Sequence, residues 1–304
     1  MTGATGFLGR QIVRALADDG WRVRILTRRD PVASLWRQIE PEVVLGDLGD
    51  DQAVSRLCAG ADVVVHGAGL VKARSRAAFD RVNVEGARRL ALAATRAPHV
   101  VLISSLSARE PGLSHYSASK RAGEVAMMGI LGDRLTIVRP CAIYGPGDRE
   151  LLPVFQAADR LPILPVLSPA ARVTMIHVGD AARQVAELAA AHPAGLTVAL
   201  SDARTDGYSW RELMAEAARA CGRSPWLAPI PPGLIHALGI TNDFTALLGA
   251  APMLSSAKAR ELTHLDWSIT LQERSGAKLA AAYDLAAGFA HTVASYRSAA
   301  WMKH

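Results

Sequence analysis

Three glycines near the start of the chain constrain its fold more than any other feature. Gly3, Gly6 and Gly9 follow the spacing G-x-x-G-x-x-G, with a predicted helix at 11–19 and a predicted strand at Trp21–Thr27 behind them. Between a parallel strand and a helix, such glycines allow a tight turn, close approach of the backbone to a pyrophosphate and close helix–sheet packing. The helix N-terminus then stabilises the phosphate charge. An ordinary turn is the alternative. We expect a dinucleotide to lie along Gly3, Thr5, Gly6, Phe7, Leu8 and Gly9.

Strands and helices are predicted to alternate through the first two thirds of the chain. The further strands are Glu42–Leu45, Ala61–His66, His99–Ser104 and Leu135–Arg139, and the helices are Phe79–Arg96 and Tyr116–Ile130. The strands are continuous apolar runs without polar alternation, which indicates a parallel sheet covered on both faces. The pattern therefore predicts an α/β fold with a Rossmann-type, doubly wound parallel sheet.

Prolines interrupt the chain after Pro140, at positions 146, 153, 162, 165 and 169. Beyond them we predict a strand at Arg172–Val178, a helix at Asp180–Ala191 and a last strand of the main sheet at Leu196–Leu200. The rest of the chain is predicted to contain helices at Ser209–Cys221 and Ser275–Arg297, with a proline-rich connection at Pro225–Pro232 between them. The predicted dinucleotide-binding domain is therefore 1–150 plus 172–202. A smaller C-terminal substrate lobe, 151–171 plus 203–304, is expected over the sheet edge where open α/β sheets bind ligands.

The strand that normally precedes a dinucleotide-binding turn has little room in this sequence. Only Met1 and Thr2 precede Gly3, whereas such a strand has about five or six residues. Its expected place is the centre of the sheet, between Trp21–Thr27 and Ala61–His66. We expect the natural protein to begin upstream with a short run rich in Val, Ile and Leu; the alternative is a truncated product that binds weakly or is inactive.

Composition narrows the class of protein. Across 304 residues, 34 Lys and Arg against 28 Asp and Glu give a net charge of +6, with the arginines scattered. A basic cleft for an anionic cofactor explains this sign better than a nucleic-acid surface does. No apolar run reaches the length of a membrane span. Cys58, Cys141 and Cys221 fit neither a metal site nor a disulfide framework, which suits a reducing cytoplasm.

The end of the second strand of a dinucleotide fold selects between NAD and NADP. An acidic residue there favours NAD, and an arginine accommodates the NADP phosphate. This chain has Arg28 and Arg29, followed by Asp30. We therefore expect NADP to be preferred, with NAD possible, although two solvated arginines would give the same pattern.

Asp47 and Leu48 follow the third strand at a position suited to binding adenine. Asp47 is alternatively the N-cap of the next helix.

Tyr116 and Lys120 stand four residues apart in a predicted helix and so share one face. A free tyrosine, with a pKa near ~10, is a poor base at neutral pH. A nearby ammonium lowers that pKa, so the phenol can exchange a proton with a substrate oxygen. The Lys120 ammonium can also donate a hydrogen bond to the nicotinamide ribose. Ser105 follows a predicted strand and is placed to hold the substrate oxygen.

Together these motifs resemble the extended short-chain dehydrogenases/reductases, also called the NAD-dependent epimerase/dehydratase family. The matching segments are Thr2–Gly9, Asp47-Leu48, His66-Gly67-Ala68-Gly69, Asn83-Val84-Glu85-Gly86, Ser104-Ser105, Tyr116 with Lys120, Arg139-Pro140, Tyr144-Gly145-Pro146-Gly147 and Ile176–Asp180. The likeness is strong over residues 2–200 and loose beyond.

The resemblance implies roles for individual residues. It makes Ser105, Tyr116 and Lys120 catalytic and places Gly67, Ala68, Gly69, Asn83 and Pro140 around the cofactor and active site. Asn83 would brace the site, although a helix-cap role fits it as well. His66 and His177 are interpreted as structural histidines, and Asp180 as an N-cap.

Three functions remain open at this point. We favour an oxidoreductase that moves hydride between nicotinamide and an alcohol or carbonyl. A nucleotide-sugar epimerase and a non-catalytic dinucleotide-binding subunit are the alternatives. Sugar dehydratases carry an Asp-Glu pair where this chain has Leu106-Ser107, and Cys141-Ala142-Ile143 replaces a stretch where sugar-nucleotide enzymes often have asparagine.

The segment Arg139–Pro146 and the pattern Val23-Arg24…Arg28 resemble hydroxysteroid dehydrogenases and dihydroflavonol-type reductases. Apolar residues of the C-terminal lobe either line a substrate pocket or form its core; they are Trp226, Leu234, Leu238, Phe244 and Leu247. We expect a small-molecule substrate, no metal, and a second copy of the chain as a possible partner.

Overall fold

The computed structural model describes residues 1–30, 36, 38–73, 75–168, 170–192, 195–231, 233–234, 237, 256–274 and 280–303. They fall into two compact units. The first comprises Met1–Cys141, Val178–Leu200 and Leu271–Ala280, and the second Ala142–His177, Ser201–Thr270 and Ala281–His304. Residues 142–150, 172–177 and 201–202, assigned to the dinucleotide domain from the sequence, group with the second unit. Residues 271–274, assigned to the substrate lobe, group with the first.

The first unit contains the predicted alternation of strands and helices. Its strands are β1 (Arg24–Thr27), β2 (Glu42–Leu45), β3 (Val63–His66), β4 (His99–Ile103), β5 (Leu135–Pro140) and β10 (Thr197–Leu200). Its helices are α1 (Phe7–Asp18), α2 (Asp51–Cys58), α3 (Arg76–Phe79), α4 (Gly86–Ala93), α5 (His115–Leu131), α7 (Val178–Ala191) and α10 (Leu271–Arg274).

All strand pairs of the first unit are parallel. Four strands form one sheet in the order β10-β5-β4-β3, and β1 pairs with β2. Between these groups Thr2 forms single parallel bridges to Leu26 in β1 and to His66 in β3, at the place expected for the strand before the glycine turn. Every residue of β4 is buried, as its apolar sequence requires. The predicted Rossmann-type parallel α/β fold is confirmed.

The predicted helix Phe79–Arg96 is not continuous. Between α3 and α4 lies a π-helical segment, Asp80–Glu85. A π turn is wider than an α turn and rotates the residues after it. Here Asn83 is buried in that segment, and its backbone oxygen lies 2.4 Å from the point where a Cβ on Gly123 of α5 would stand. The two helices therefore approach closely at Asn83 and Gly123.

The second unit contains short strands and helices. They are β6 (Ala142–Tyr144), α6 (Leu152–Arg160), β7 (Ile163–Val166), β8 (Arg172–Val173), β9 (Met175–His177), β11 (Tyr208–Ser209), α8 (Trp210–Ala220), β12 (Trp226–Pro229), α9 (Ser256–Thr263), β13 (Asp266–Trp267) and α11 (Leu285–Ser298). Tyr144, Phe155, Phe289 and Tyr296 form the aromatic centre of its core. The predicted proline-rich connection at 225–232 contains β12, which pairs with β7 in parallel.

Three sequence predictions need correction in this part of the chain. The strand predicted at Arg172–Val178 is divided into β8 and β9. The last long helix begins at Leu285 rather than at 275, because Asp284 caps it by accepting a bond from the Ala287 amide. Asp180 is not an N-cap: α7 begins at Val178, and the buried Asp180 carboxylate pairs with Arg183 one turn on.

Within the described ranges, the structure has no helix that is both long enough and apolar enough to span a bilayer.

The contact between Gly123 and Asn83 gives the first prediction. Gly123→Ala should destabilise the protein by about 1–3 kcal/mol, because the new methyl overlaps a backbone oxygen and forces α5 away. Gly129→Ala is the matched control on the same helix, since a Cβ there meets nothing within 4 Å. It should be neutral or stabilise by up to about 1 kcal/mol. Urea denaturation of both variants checks this; equal stabilities would contradict it.

Candidate active site

The candidate site lies at one edge of the parallel sheet. Parallel strands bring their carboxyl ends to the same edge, and open α/β sheets bind ligands there. Thr27 ends β1, His66 ends β3, Ile103 ends β4 and Pro140 ends β5. The predicted cofactor and catalytic residues follow these ends or lie on the helices behind them.

Backbone crowding explains two glycines of the first turn. Gly3 has φ +73°, and a Cβ there would stand 2.4 Å from the Gly67 carbonyl carbon and 2.5 Å from the Ala68 nitrogen. A Cβ on Gly9 would stand 2.0 Å from the Gly3 oxygen. A side chain at Gly3 would push the turn away from the segment after β3, and a side chain at Gly9 would push α1 away from the turn. The glycine turn therefore lies in direct backbone contact with Gly67 and Ala68.

Side-chain hydrogen bonds hold these two backbone segments together. The Thr2 hydroxyl lies 2.7 Å from His66 Nδ1 and accepts a bond from the Ala68 amide at 3.2 Å. Burial, with Lys120 nearby, lowers the pKa of His66 to about 3. His66 is therefore neutral at physiological pH, and its hydrogen bond to Thr2 fits a structural role.

The N-terminus of α1 has the features of an anion site. Gly6 is its N-cap and supplies no side-chain bond, and the first turn contains no acidic residue. The first backbone N–H groups of a helix have no partner within the helix. Phe7, Leu8 and Gly9 contribute these groups here, beside the glycine turn. A pyrophosphate fits this arrangement by charge and by hydrogen bonding.

Beyond β1 the chain presents two cations. Arg28 and Arg29 are both exposed, and the Thr27 hydroxyl donates to the Arg29 carbonyl at 2.8 Å, which shapes the turn. The other arginine of the predicted pattern, Arg24, is structural, because it pairs with Glu42 and donates to the carbonyl at the end of α2. Arg28 thus lies exposed directly after the carboxyl end of β1.

Asp47 and Leu48 have different surroundings. Asp47 is exposed and accepts a bond from the Gly49 amide at 2.7 Å, and Asp50 rather than Asp47 caps α2. The N-cap alternative for Asp47 is therefore wrong. Leu48 packs near Gly86, where a Cβ would lie 2.9 Å from its side chain.

Lys120 lies at the centre of the site. Its ammonium donates to the Ile103 carbonyl at 2.8 Å, and a Cβ on Gly69 would stand 3.7 Å from its Nζ. Burial lowers the pKa of Lys120 to about 8, while the Glu124 carboxylate acts in the opposite direction. Gly69 therefore leaves room beside a largely desolvated cation.

Tyr116 is half-buried on α5, one turn before Lys120. Its ring centre lies 6.1 Å from that of Phe79, and its carbonyl accepts a bond from the Ser119 hydroxyl at 2.8 Å. Ser114 caps the helix by accepting from the Ser117 amide at 3.0 Å. The cap fixes where α5 begins, and with it the positions of Tyr116 and Lys120 on the first turns.

Ser105 follows β4 and caps the short 3₁₀ segment Leu106–Arg109. Its hydroxyl oxygen accepts bonds from the Ser107 amide at 3.2 Å and from the Ser107 hydroxyl at 2.9 Å. Both bonds are accepted by Ser105, so in this arrangement its hydroxyl oxygen acts as an acceptor toward Ser107.

Asn83 joins the segment after β3 to helix α5 by side-chain hydrogen bonds. Its side-chain oxygen accepts from the Leu70 amide at 2.8 Å, and its nitrogen donates to the Leu70 carbonyl at 3.0 Å and to Ser119 at 2.9 Å. These bonds connect the segment after Gly69 to α5. The amide is thus engaged by the protein itself, which supports bracing and leaves a helix-cap role without a basis.

A buried charge network was missed from the sequence. Glu124 on α5 accepts two bonds from the Arg139 guanidinium, at 2.9 and 2.6 Å, and one from the Ser104 hydroxyl at 2.6 Å. The bonds to Glu124 raise the pKa of Arg139. One signal was available, because Glu124 stands four residues after Lys120 and so shares its helix face.

The remaining predicted residues lie in both units. Pro140 is buried at the end of β5, at the same edge of the sheet, opposite Leu200 of β10. In the second unit Trp226 and Leu234 are exposed rather than part of a core, and Leu238, Phe244 and Leu247 lie outside the described residues. His177 is buried against Tyr283, with ring centres 3.9 Å apart.

Sequence comparison places the chain among known enzymes. The sequence model of the NAD dependent epimerase/dehydratase family matches residues 1–198. A ceramide reductase of Caulobacter vibrioides is 50% identical over 307 aligned residues, which cover 99% of this chain and 95% of the relative. A 4-hydroxy-2-methyl-3-oxo-4-farnesyl-3,4-dihydroquinoline-1-oxide ketoreductase of Stigmatella aurantiaca is 29% identical, covering 86% and 89%.

Solved structures support the same fold. The crystal structure of gox2253 has a TM-score of 0.80 at 20% identity, covering 99% of this chain and 98% of that one. MoeE5 in complex with UDP-glucose and NAD has a TM-score of 0.70 at 19% identity, covering 98% of both chains. With the family match over nearly two thirds of the sequence, the chain belongs to the NAD-dependent epimerase/dehydratase family and is an enzyme.

Proposed function

We propose that this enzyme is a nicotinamide-dependent carbonyl reductase that acts on a ceramide-type lipid. One observation carries the proposal: the relative named ceramide reductase is 50% identical along 99% of the chain. The arrangement of Ser105, Tyr116 and Lys120 behind β4 supports the same chemistry. A ceramide-type substrate has long apolar chains beside an amide and oxygen substituents, and the reacting group would be a ketone on that backbone.

The residues of the first unit fit a bound dinucleotide. The amides of Phe7 and Leu8 would hold the pyrophosphate, Arg28 the ribose phosphate of NADP, and Lys120 the nicotinamide ribose. When bound, the reduced cofactor supplies the hydride. The close contact of Gly3 with Gly67 supports this assignment, because it fixes the glycine turn beside the N-terminus of α1, where the dinucleotide would bind.

Proton transfer is assigned to the three polar side chains. Ser105 donates a hydrogen bond to the substrate oxygen and holds it in place. Tyr116 donates a proton to that oxygen as the carbonyl becomes an alcohol. Lys120, protonated below its pKa of about 8, stabilises the phenolate that remains, and this raises the acidity of Tyr116.

The residues around the catalytic group favour a reductase over a sugar enzyme. Leu106 and Ser107 follow Ser105, so the acid–base pair of sugar dehydratases is absent from that position. Leu106 is buried and Ser107 is engaged with Ser105. The stretch 141–143 offers no amide side chain for a nucleotide sugar.

Activity on matched substrates tests the proposal. Purified protein should oxidise NADPH in the presence of a ceramide that carries a ketone on its long-chain base, dispersed in detergent. The corresponding ceramide alcohol is the control and should cause no NADPH oxidation. Turnover of a UDP-sugar without net cofactor consumption, with NAD that stays bound through dialysis, would instead support an epimerase. Binding of NADPH without turnover of either substrate would support the non-catalytic alternative.

Removal of the Tyr116 hydroxyl gives the second prediction. Tyr116→Phe should lower kcat by about 10²–10⁴, the usual contribution of general acid–base catalysis. The NADPH dissociation constant and thermal stability should stay unchanged, because the ring and its contact with Phe79 remain. A variant that keeps more than about a tenth of wild-type kcat would contradict the assigned role.

Cofactor preference gives the third prediction. The kcat/KM of the wild type should be roughly tenfold to hundredfold higher with NADPH than with NADH. A charge-assisted hydrogen bond to the ribose phosphate contributes enough free energy for a preference of this size. Arg28→Ala should remove most of this preference. Arg14→Ala, an equally exposed arginine on α1, is the matched control and should leave it intact. Equal efficiency with both cofactors in the wild type would overturn the assignment.

A further inference from the structure

We propose that Glu124 is a positioning residue of this active site: it anchors the Lys120 ammonium electrostatically and fixes the end of β4 that carries Ser105. The proposal rests on the catalytic roles given above. It assigns a function to a buried carboxylate that does not itself touch the reacting groups.

The geometry places Glu124 between three parts of the site. Its side chain is fully buried on α5, one helical turn beyond Lys120. One carboxylate oxygen accepts from Ser104 at 2.6 Å and from Arg139 Nε at 2.9 Å, and the other accepts from the second Arg139 donor at 2.6 Å. Ser104 immediately precedes Ser105, and Arg139 lies on β5. A single carboxylate therefore connects α5 with the ends of β4 and β5.

The charges around Lys120 explain why a carboxylate at position 124 affects the Lys120 ammonium. His66 faces it from β3 and is neutral, and Tyr116 and Glu124 share its helix. Arg139 reaches the same region through Glu124, and the half-exposed Arg121 also pairs with this carboxylate at 3.1 Å. Burial disfavours the charged form of Lys120, and Glu124 is the group that opposes this effect. Without the carboxylate, nothing would offset the effect of burial on the Lys120 pKa, and the Arg139 guanidinium would lose the partner that accepts two of its hydrogen bonds.

Fold stability alone is a weak reason for this network. The cost of desolvating a buried ion pair largely cancels its attraction, so apolar residues of similar volume often serve stability as well or better. A carboxylate one turn from Lys120 does something that an apolar residue does not: it raises the pKa of the ammonium against the effect of burial. The two hydrogen bonds from the planar Arg139 guanidinium also fix the orientation of the Glu124 carboxylate.

The test compares Glu124→Gln with the wild type over a pH series on either side of the Lys120 pKa of about 8. Lys120 acts as a cation, so NADPH affinity and kcat/KM should both fall as pH rises through that pKa. In Glu124→Gln the fall should move to lower pH by about one unit, because the amide keeps the shape and removes the charge. Glu42→Gln is the matched control, since Glu42 pairs with Arg24 far from Lys120 and should leave the profile in place.

A second variant separates positioning from stability. The double substitution Glu124→Leu with Arg139→Met removes both buried charges, so no unpaired ion remains to unfold the protein. It should fold, as circular dichroism and thermal melting would show. The midpoint of its pH profile should also lie at lower pH than in the wild type. A pH-independent loss of activity in either variant, with the midpoint unchanged, would overturn the proposal. Loss of the fold in both variants would overturn it as well, because the network would then serve stability.

The NADPH binding profile distinguishes this proposal from the proposed function. If the wild type reduces no carbonyl but its NADPH affinity follows the predicted pH dependence, and Glu124→Gln displaces it, the carbonyl reductase assignment fails and the positioning role stands. If carbonyl reduction is observed but neither profile moves in Glu124→Gln, the positioning role fails and the proposed function stands.

Discussion

The close approach of two backbone turns at the carboxyl edge of the sheet is the constraint on which the site depends. A side chain at Gly3 would overlap Gly67 and Ala68, and one at Gly9 would overlap Gly3. Thr2 bridges β1 and β3 and bonds both His66 and Ala68. With the turn held this tightly, the first backbone amides of α1 lie beside it without partners within the helix, an arrangement that suits phosphate binding.

A second constraint is the burial of charge behind that turn. Lys120 is desolvated and bonded to the end of β4, while Glu124 and Arg139 neutralise each other one helical turn away. Desolvation strengthens every electrostatic interaction within such a site. The burial that would strengthen the effect of Lys120 on Tyr116 in the proposed mechanism also lowers the Lys120 pKa. The nearby Glu124 carboxylate opposes that shift and so has a chemical consequence beyond packing.

The sequence predicts the parts of this arrangement that local patterns determine. The apolar runs of β3, β4 and β5 identify buried parallel strands, and the glycine spacing indicates the turn at residues 3–9. The π segment around Asn83 is not predictable in this way, because it depends on contacts with Ser119 and Gly123, about 40 positions along the chain. The partnership of Glu124 with Arg139 depends on which strand ends lie side by side. Asp47 and Asp50 are equivalent N-cap candidates by sequence, and only the backbone geometry of α2 separates them.

Transfer of an isotope from the cofactor tests the account most directly. The enzyme should be supplied with NADPH deuterated at the reactive carbon and with a ceramide that carries a ketone, and the lipid product analysed by mass spectrometry and NMR. A carbonyl reductase with the site described here would place one deuterium on the new carbinol carbon, and Tyr116→Phe would nearly abolish its incorporation. A lipid that stays unlabelled and unreduced, while the protein interconverts nucleotide sugars through bound NAD that takes no label from solution, would contradict the account.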